Sequence, residues 1–545
     1  MKKGHATILL LAGLLAVKLL FSLVLFNKFD GFTLFEGDEC SKVLIGWDTM
    51  GHWARPVYNS MWLPLYHWIL ALGLSLYPKA VIIGPLINTI ASSLSVAVIF
   101  FLCREVFGES PLVGVFAALM FIFHPLVSVL NVSGFEMPLL HLYVLFGIFA
   151  WVKFLSTRAV RWHFFASASF LIASMLRYEG WIVVAIFALL TAREIVAENS
   201  LKTRRLLLAS LAVAFLFIVF WLWWQKHHFG SGLFFIHRRH AAAYHEDSVL
   251  NRMHAGTFTA LLVAFRNIAG MFSAPLLIVL SAGIISVVFM RRSRAAKDYV
   301  VFGALALGVI TGGYAVRIGG SFISKHLALL LVLSFPLMAY AVWCSVRSPA
   351  RVYYALPIGA ALLLYGMNLS WDSYKASGEQ QDEYSKQAAL TIATLKLPAR
   401  SKLLIEMRTS ADAPHPYLYD SYFILAANPW VVVPDRNPHR YIFLNGREWL
   451  DTEHNPSILD LPAATLPAKL KAENIAVVVA IYSKTKEKLQ ACMKESGETG
   501  QYAFFTALED DAVRRDVEQR LRAIRNDSGT TGFSLTLRKL ARLMR

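Results

Sequence analysis

Three carboxylates fall within four positions, at Glu36, Asp38 and Glu39, directly after the first long apolar run. Carboxylates this close together suit three roles. One can take a proton from a hydroxyl as that hydroxyl attacks. A pair, Asp38 with Glu39, can hold a divalent cation, which prefers clustered carboxylate oxygens. Or the group is a solvated acidic turn, with Asp38 capping a helix from Cys40 onward. Spacing alone leaves cap and site open. Position adds weight to a site, because acidic groups beside a membrane segment are costly.

Other charged groups interrupt apolar sequence in the same way. Arg177-Tyr178-Glu179 breaks what would otherwise be one long apolar run. Arg177 there can reach an anionic phosphate, a role that suits its donor fork, or it can pair with Glu179 as a structural bridge. Glu136 sits in a second polar break, Asn131–Glu136. His237-Arg238-Arg239-His240 is a compact basic patch, either a clamp for a lipid-linked phosphate or a solvated loop. Its histidines lack zinc-ligand spacing. Lys325-His326 opens a span and reads as a further phosphate contact or as an interfacial anchor. Arg55 and Tyr66 follow the acidic cluster. No phosphate-binding glycine loop, dinucleotide fingerprint, nucleophile elbow or zincin helix is present, which argues against a nucleotide-driven pump.

The elements that position these groups are membrane helices. The chain has 545 residues, 56% of them hydrophobic and 16% charged. A soluble domain carries roughly a quarter charged residues. Length and hydropathy predict about eleven spans. The formal charge of +17 comes largely from short loops between apolar runs, so it reads as topology and not as nucleic-acid binding. Lys2/Lys3, Arg104, the Lys153–Arg161, Arg193–Arg205 and Arg291–Lys297 loops and Arg347/Arg351 all fall on one side, expected to be cytoplasmic. The first run, Ala6–Phe26, reads as an uncleaved signal anchor whose Lys18 must face protein or snorkel. The acidic loop, at about residues 27–61, then lies on the outer side with Glu136, Arg177-Tyr178-Glu179 and Lys325-His326. Cys40 and Cys492 share that side, but a bond between them needs distances that a sequence lacks.

After Met367 the composition turns polar. Strand-like runs (Leu403–Glu406, Tyr441–Leu444, Ile475–Ile481) alternate with helix-like ones (Glu379–Leu395, Lys484–Lys494, Ala512–Arg525). This predicts a polytopic α-helical membrane domain over residues 1–369 and a soluble α/β domain over 370–545, outside the cytoplasm.

Several pieces together resemble one family. Gly37-Asp38-Glu39 after the first span resembles the family C glycosyltransferase (GT-C) fold. Within that fold the chain looks like the bacterial protein mannosyltransferases and aminoarabinose transferases, glycosyltransferase family 39 and its kin. Trp62-Leu63-Pro64-Leu65-Tyr66 is similar to their Trp-x-Pro-x-Tyr element, and Arg177-Tyr178-Glu179-Gly180-Trp181 to their Arg-Tyr-Glu segment. Phe229-Gly230-Ser231-Gly232-Leu233-Phe234 resembles a Phe-Gly-x-Pro-Leu-x-Phe loop, with Gly232 in place of proline. Lys325-His326 stands where the family commonly has Arg-Tyr, a departure that weakens a phosphate role there.

The resemblance covers residues 1–369. It implies inverting transfer of a sugar from a polyprenyl-phosphate donor to an acceptor hydroxyl of a glycan, lipid or protein, at the outer face of a bacterial inner membrane. It makes Asp38 the general base, helped by Glu36 and Glu39, with Arg55, Arg177, Arg238, Arg239 and Lys325 as candidates to meet the leaving phosphate. Some members use a divalent cation and others do not, and this sequence leaves that open. A flippase of lipid-linked glycans would use the same basic groups but predicts paired internal repeats, which are not evident. A non-catalytic subunit of an assembly complex would need the acidic loop only as a cap.

Overall fold

The computed structural model describes residues 3–28, 42, 45–46, 49–50, 53–58, 62–77, 80–108, 111–236, 257–290, 293–315, 324–346, 364–365, 368, 402–405, 431–432, 461–472, 475–480, 483–493, 495–499, 502–508 and 511–523. In chain order the apolar part runs α1 (Lys3–Lys28), α2 (Leu65–Leu76), α3 (Ala80–Phe107), α4 (Pro111–Phe123), α5 (Pro125–Leu130), α6 (Met137–Thr157), α7 (Val160–Leu176), α8 (Glu179–Ala197), α9 (Leu201–Phe229), α10 (Thr257–Ile285), α11 (Arg294–Ala315) and α12 (Ser324–Val346). Among the described residues eight helices are long and apolar enough to cross a membrane, and α2, α4 and α7 are shorter apolar helices. The apolar run Val352–Met367, a further candidate span by hydropathy, lies almost wholly outside the described residues.

The chain forms two compact units. One comprises Met1–Val24, Ser60–Tyr66 and Leu86–Ser377, and the other Leu25–Asn59, His67–Pro85 and Gly378–Arg545. In the first, α6, α7, α8 and α9 pack as successive antiparallel neighbours. Burial by itself drives helices together weakly in lipid, so polar ties matter. His163 of α7 supplies one. Its Nδ1 lies 2.8 Å from Ser210 Oγ on α9 and its Nε2 lies 3.1 Å from Thr191 Oγ1 on α8. Ser167 Oγ completes the group 2.9 Å from Ser210 Oγ, and all four side chains are buried. On α12, the Leu333 carbonyl accepts from Tyr299 Oη of α11 at 2.6 Å. Of the two expectations for Lys18, to face protein or to snorkel, the structure shows the first: it is buried, and its Nζ donates to Ser22 Oγ at 2.5 Å.

Two helices run past their apolar stretches. The aromatic-rich run Leu206–Trp224 lies within α9, which continues through Gln225–His228 to Phe229 and is capped by Gly230. Gly230 takes φ 79°, the left-handed conformation that closes a helix C-terminus most cheaply in glycine. The amphipathic run Phe258–Ala269 and the apolar run Leu276–Met290 fall in one kinked helix, α10, and the π-helical turn Ser286–Met290 that continues it. Its break is at Ser273 (φ 58°, ψ 157°), two residues before Pro275, whose ring and missing N–H interrupt the helical ladder.

In the second unit, the part after Gly378 holds a five-stranded sheet. Its strands are β1 (Lys402–Ile405), β2 (Val431–Val432), β3 (Ile475–Ala480), β4 (Glu495–Thr499) and β5 (Tyr502–Thr506), in spatial order β2-β1-β3-β5-β4. β1 pairs parallel with β2 and β3, and β5 pairs antiparallel with β3 and β4. Helices α13 (Leu466–Ala472), α14 (Ser483–Gln490) and α15 (Asp511–Ala523) accompany it. Leu466, Leu470, Ile475, Val478, Leu489 and Phe505 form its core. The predicted strand Tyr441–Leu444 and helix Glu379–Leu395 lie outside the described residues. Cys492 is a free thiol, and Cys40, the partner considered for it, lies outside the described residues.

Candidate active site

The described part of the site is built from helix ends. α7 ends at Leu176, and Arg177 follows in extended backbone (φ −153°, ψ 154°). α8 begins two residues later at Glu179. This corner is tight. A Cβ on Gly180 would collide with the carbonyl of Ala173 in the preceding helix, so only glycine fits. The corner puts a guanidinium at the end of one helix and a carboxylate in the first turn of the next, where the helix dipole favours it.

The second carboxylate arrives from the break before α6. Arg177 Nη1 donates to Glu136 Oε1 at 2.5 Å. Its Nε and Nη2 donate to Glu179 Oε2 and Oε1, at 3.0 and 2.8 Å. The fork on Glu179 is bidentate, the geometry a planar guanidinium matches best. All three residues are only 3–5% exposed. Charges this deep are stable only when paired and hydrogen-bonded, and each here meets an opposite charge.

Glu136 is aimed by a clamp on the loop before it. Asn88 of α3 is fully buried, and its Nδ2 donates to the carbonyls of Ser133 and Phe135, at 2.6 and 2.5 Å. Tyr66, also buried, donates its hydroxyl to the Gly134 carbonyl at 2.5 Å. Three consecutive carbonyls are thus fixed just ahead of Glu136. Ser133 Oγ also donates to the Leu130 carbonyl, closing the end of α5.

An aromatic wall continues from Tyr178. Its ring stacks on Phe235 at 4.3 Å and 6°, and Trp181 packs edge-on against both. Trp221 Nε1 donates to Tyr178 Oη at 3.3 Å. Phe229 and Phe234 stack at 4.9 Å across the Gly230 turn, which gives the resembling loop motif its local shape.

Five predicted site residues therefore come together or adjoin: Tyr66, Glu136, Arg177, Tyr178 and Glu179. Glu36, Asp38 and Glu39, and His237, Arg238 and Arg239, lie outside the described residues. Arg55 begins a short 3-10 turn, Arg55–Tyr58, and Lys325 and His326 stand in the first turn of α12; their side chains are not described. Among the described residues no three His, Cys, Asp or Glu side chains gather as a metal-ligand set. The carboxylates considered for a cation, Asp38 and Glu39, are not among them. Sequence reasoning passed over Asn88, Trp221 and Phe235. An asparagine within a span was the available signal for the first, since polar groups at that depth have a reason to be there.

No protein-family model matches the chain, and no curated protein does. Solved structures do. ArnT from Cupriavidus metallidurans in the apo state is 14% identical, with a TM-score of 0.56 over 93% of this chain and 99% of that one. The same protein bound to undecaprenyl phosphate is 13% identical, with a TM-score of 0.59 over 94% and 99%. The apo oligosaccharyltransferase of Archaeoglobus fulgidus is 11% identical, with a TM-score of 0.51 over 93% of this chain and 75% of that one. At these identities the likeness establishes the fold: the chain has the family C glycosyltransferase architecture.

Proposed function

We propose that this chain is a membrane glycosyltransferase that moves a sugar from a polyprenyl-phosphate donor to an acceptor hydroxyl. One observation carries the reading. The fold matches ArnT over almost the full length of both chains, and that protein was solved with undecaprenyl phosphate bound. Fold alone does not assign chemistry. The acidic loop and the enclosed Glu136–Arg177–Glu179 group, both expected on one side of the membrane, supply the residues.

In this reading Asp38 takes the proton from the acceptor hydroxyl as its oxygen attacks the anomeric carbon. The carbon–phosphate-oxygen bond breaks on the opposite face, inverting that centre, and the phosphate leaves with the electron pair. Arg177 keeps its fork on Glu136 and Glu179, which orders the wall, and its remaining N–H groups stay candidates to meet the phosphate. The developing phosphate charge falls also to Arg238, Arg239, Lys325 and Arg55. Glu36 and Glu39 set the field around Asp38. The acceptor is a glycan, lipid or protein hydroxyl. We place the reaction at the outer face of a bacterial inner membrane, with the N-terminus in the cytoplasm and the C-terminal α/β domain outside.

The test is transfer of radiolabelled sugar from polyprenyl-phosphate donors by full-length protein in bilayers, wild type beside Asp38→Asn, with and without chelator. Loss of transfer in the variant with normal expression is expected. Chelator sensitivity of the wild type would assign Asp38 and Glu39 to a cation. Full activity in Asp38→Asn sinks the assignment of the base. Lipid-linked glycan translocation without transfer would make the protein a flippase instead.

A further inference from the structure

The opposite ends of the same helices carry a second charged cluster that the proposed reaction does not use. Glu194, near the end of α8, receives three arginines. Arg158, from the turn between α6 and α7, donates through Nη1 to Oε2 at 2.7 Å. Arg193 reaches Oε1 at 3.3 Å, and Arg294, at the start of α11, pairs with the same oxygen. Arg193 also grips Asp298 of α11 with Nη1 and Nη2, at 2.9 and 2.5 Å. Arg294 Nε lies 3.9 Å from that carboxylate.

Burial is divided unevenly. The carboxylate side chains are 2% and 5% exposed, whereas Arg158, Arg193 and Arg294 are 53%, 43% and 45% exposed. The acids sit behind and the guanidinium edges face out. Three cations over two anions leave positive charge at the surface, and exposed Arg161 and Lys297 lie close by in sequence.

A tie between helix ends does not need this arrangement. One arginine per carboxylate would satisfy it. Arg158 moreover holds a left-handed backbone, φ 56° and ψ 11°, at the cap of α6, where glycine or asparagine is unstrained. Strain kept at a side-chain-bearing residue points from the outlier to a use for that side chain.

The cluster also has a depth. The spans of α6 and α8 end at Thr157 and Ala197, and that of α11 begins at Arg294. Charges at span ends sit at the level of lipid headgroups. Apolar side chains on the neighbouring helix ends, Leu189 and Val196 on α8 and Leu201 on α9, are well exposed. They offer acyl chains a surface next to the arginines.

We propose that Arg158, Arg193 and Arg294 bind the phosphodiester of an anionic phospholipid headgroup, with Glu194 and Asp298 holding the guanidinium forks from behind. A phosphate oxygen pair fits the outward edge of a fork as a carboxylate fits the inward edge. Free phosphate shares that chemistry but gains nothing from the apolar surface. The site stands whether or not the glycosyltransferase reading does.

Thermal unfolding of the full-length protein in a neutral maltoside detergent tests it, with phosphatidylglycerol, phosphatidylcholine or inorganic phosphate added at equal concentration. Phosphatidylglycerol is expected to raise the midpoint, and the other two to leave it in place. Arg158→Gly is the informative variant, because glycine accepts the left-handed backbone. Its lipid-free midpoint should stay near wild type while the phosphatidylglycerol shift falls by about half or more. The double variant Arg193→Gln/Arg294→Gln should lose the shift. An equal shift with phosphatidylcholine or with inorganic phosphate overturns the proposal. So does an Arg158→Gly protein with a lowered lipid-free midpoint and an undiminished phosphatidylglycerol shift, which would mark a purely structural tie.

Discussion

At one end of the helix bundle two carboxylates close around a single arginine; at the other, three arginines converge on two carboxylates. The pairings are chemically alike. Their surroundings differ. Glu136, Arg177 and Glu179 are all buried, so each depends on protein partners to offset the loss of water. Arg158, Arg193 and Arg294 keep about half their surface in solvent, so water can take over when a pair breaks. The first cluster fixes a geometry. The second presents charge. An arginine–carboxylate pair therefore has no single meaning in a membrane protein; its depth decides it.

The comparison breaks most visibly at Arg177. Arg177→Met leaves two buried carboxylates without their shared guanidinium. It should cost about 3–5 kcal/mol, read as a large fall in the thermal midpoint, and should abolish transfer. Adding Glu136→Gln and Glu179→Gln should restore much of the stability and none of the activity. A stable, active Arg177→Met protein would show that the enclosed cluster is dispensable.

Asn88→Ala sharpens the same end from a distance. It removes two hydrogen bonds to buried carbonyls without touching a charge, at about 1–3 kcal/mol. The loop before Glu136 should loosen, and amide exchange over residues 131–136 should rise more than elsewhere. Unchanged exchange there would mean that Tyr66 alone holds the loop. The smallest effect is expected at the other end. Glu194→Gln removes a charge that three half-exposed arginines share, and rehydration limits the cost to about 1–2 kcal/mol. A loss as large as that of Arg177→Met would show that the two clusters are equally structural and erase the contrast.

Much of the membrane domain was readable because lipid imposes a one-dimensional rule. A span must be long and apolar, so α1, α3, α6, α9 and α12 stand out in the chain. The Arg177–Glu179 pairing was readable too, as two charges two residues apart inside an apolar run. Elements of the C-terminal sheet were less so. β4 reads Glu-Ser-Gly-Glu-Thr and has no apolar alternation; it is an edge strand held by β5, and the predicted helix over Lys484–Lys494 stops at Gln490 instead. β5, Tyr-Ala-Phe-Phe-Thr, lies between two strands, and its burial comes from neighbours far along the chain.

The amino-acid order on its own determined the class of molecule, the sidedness expected of its loops and the residue types able to handle protons and phosphates. Those properties follow from local hydropathy and charge, which a chain carries wherever it folds. Tertiary structure decided the partners. Glu136 meets Arg177 from 41 positions away, and Asn88 reaches Ser133 and Phe135 across 45 and 47. It also decided which arginines are enclosed and which face out. Long-range pairing and burial depend on how helices pack side by side, and no local window of sequence contains that.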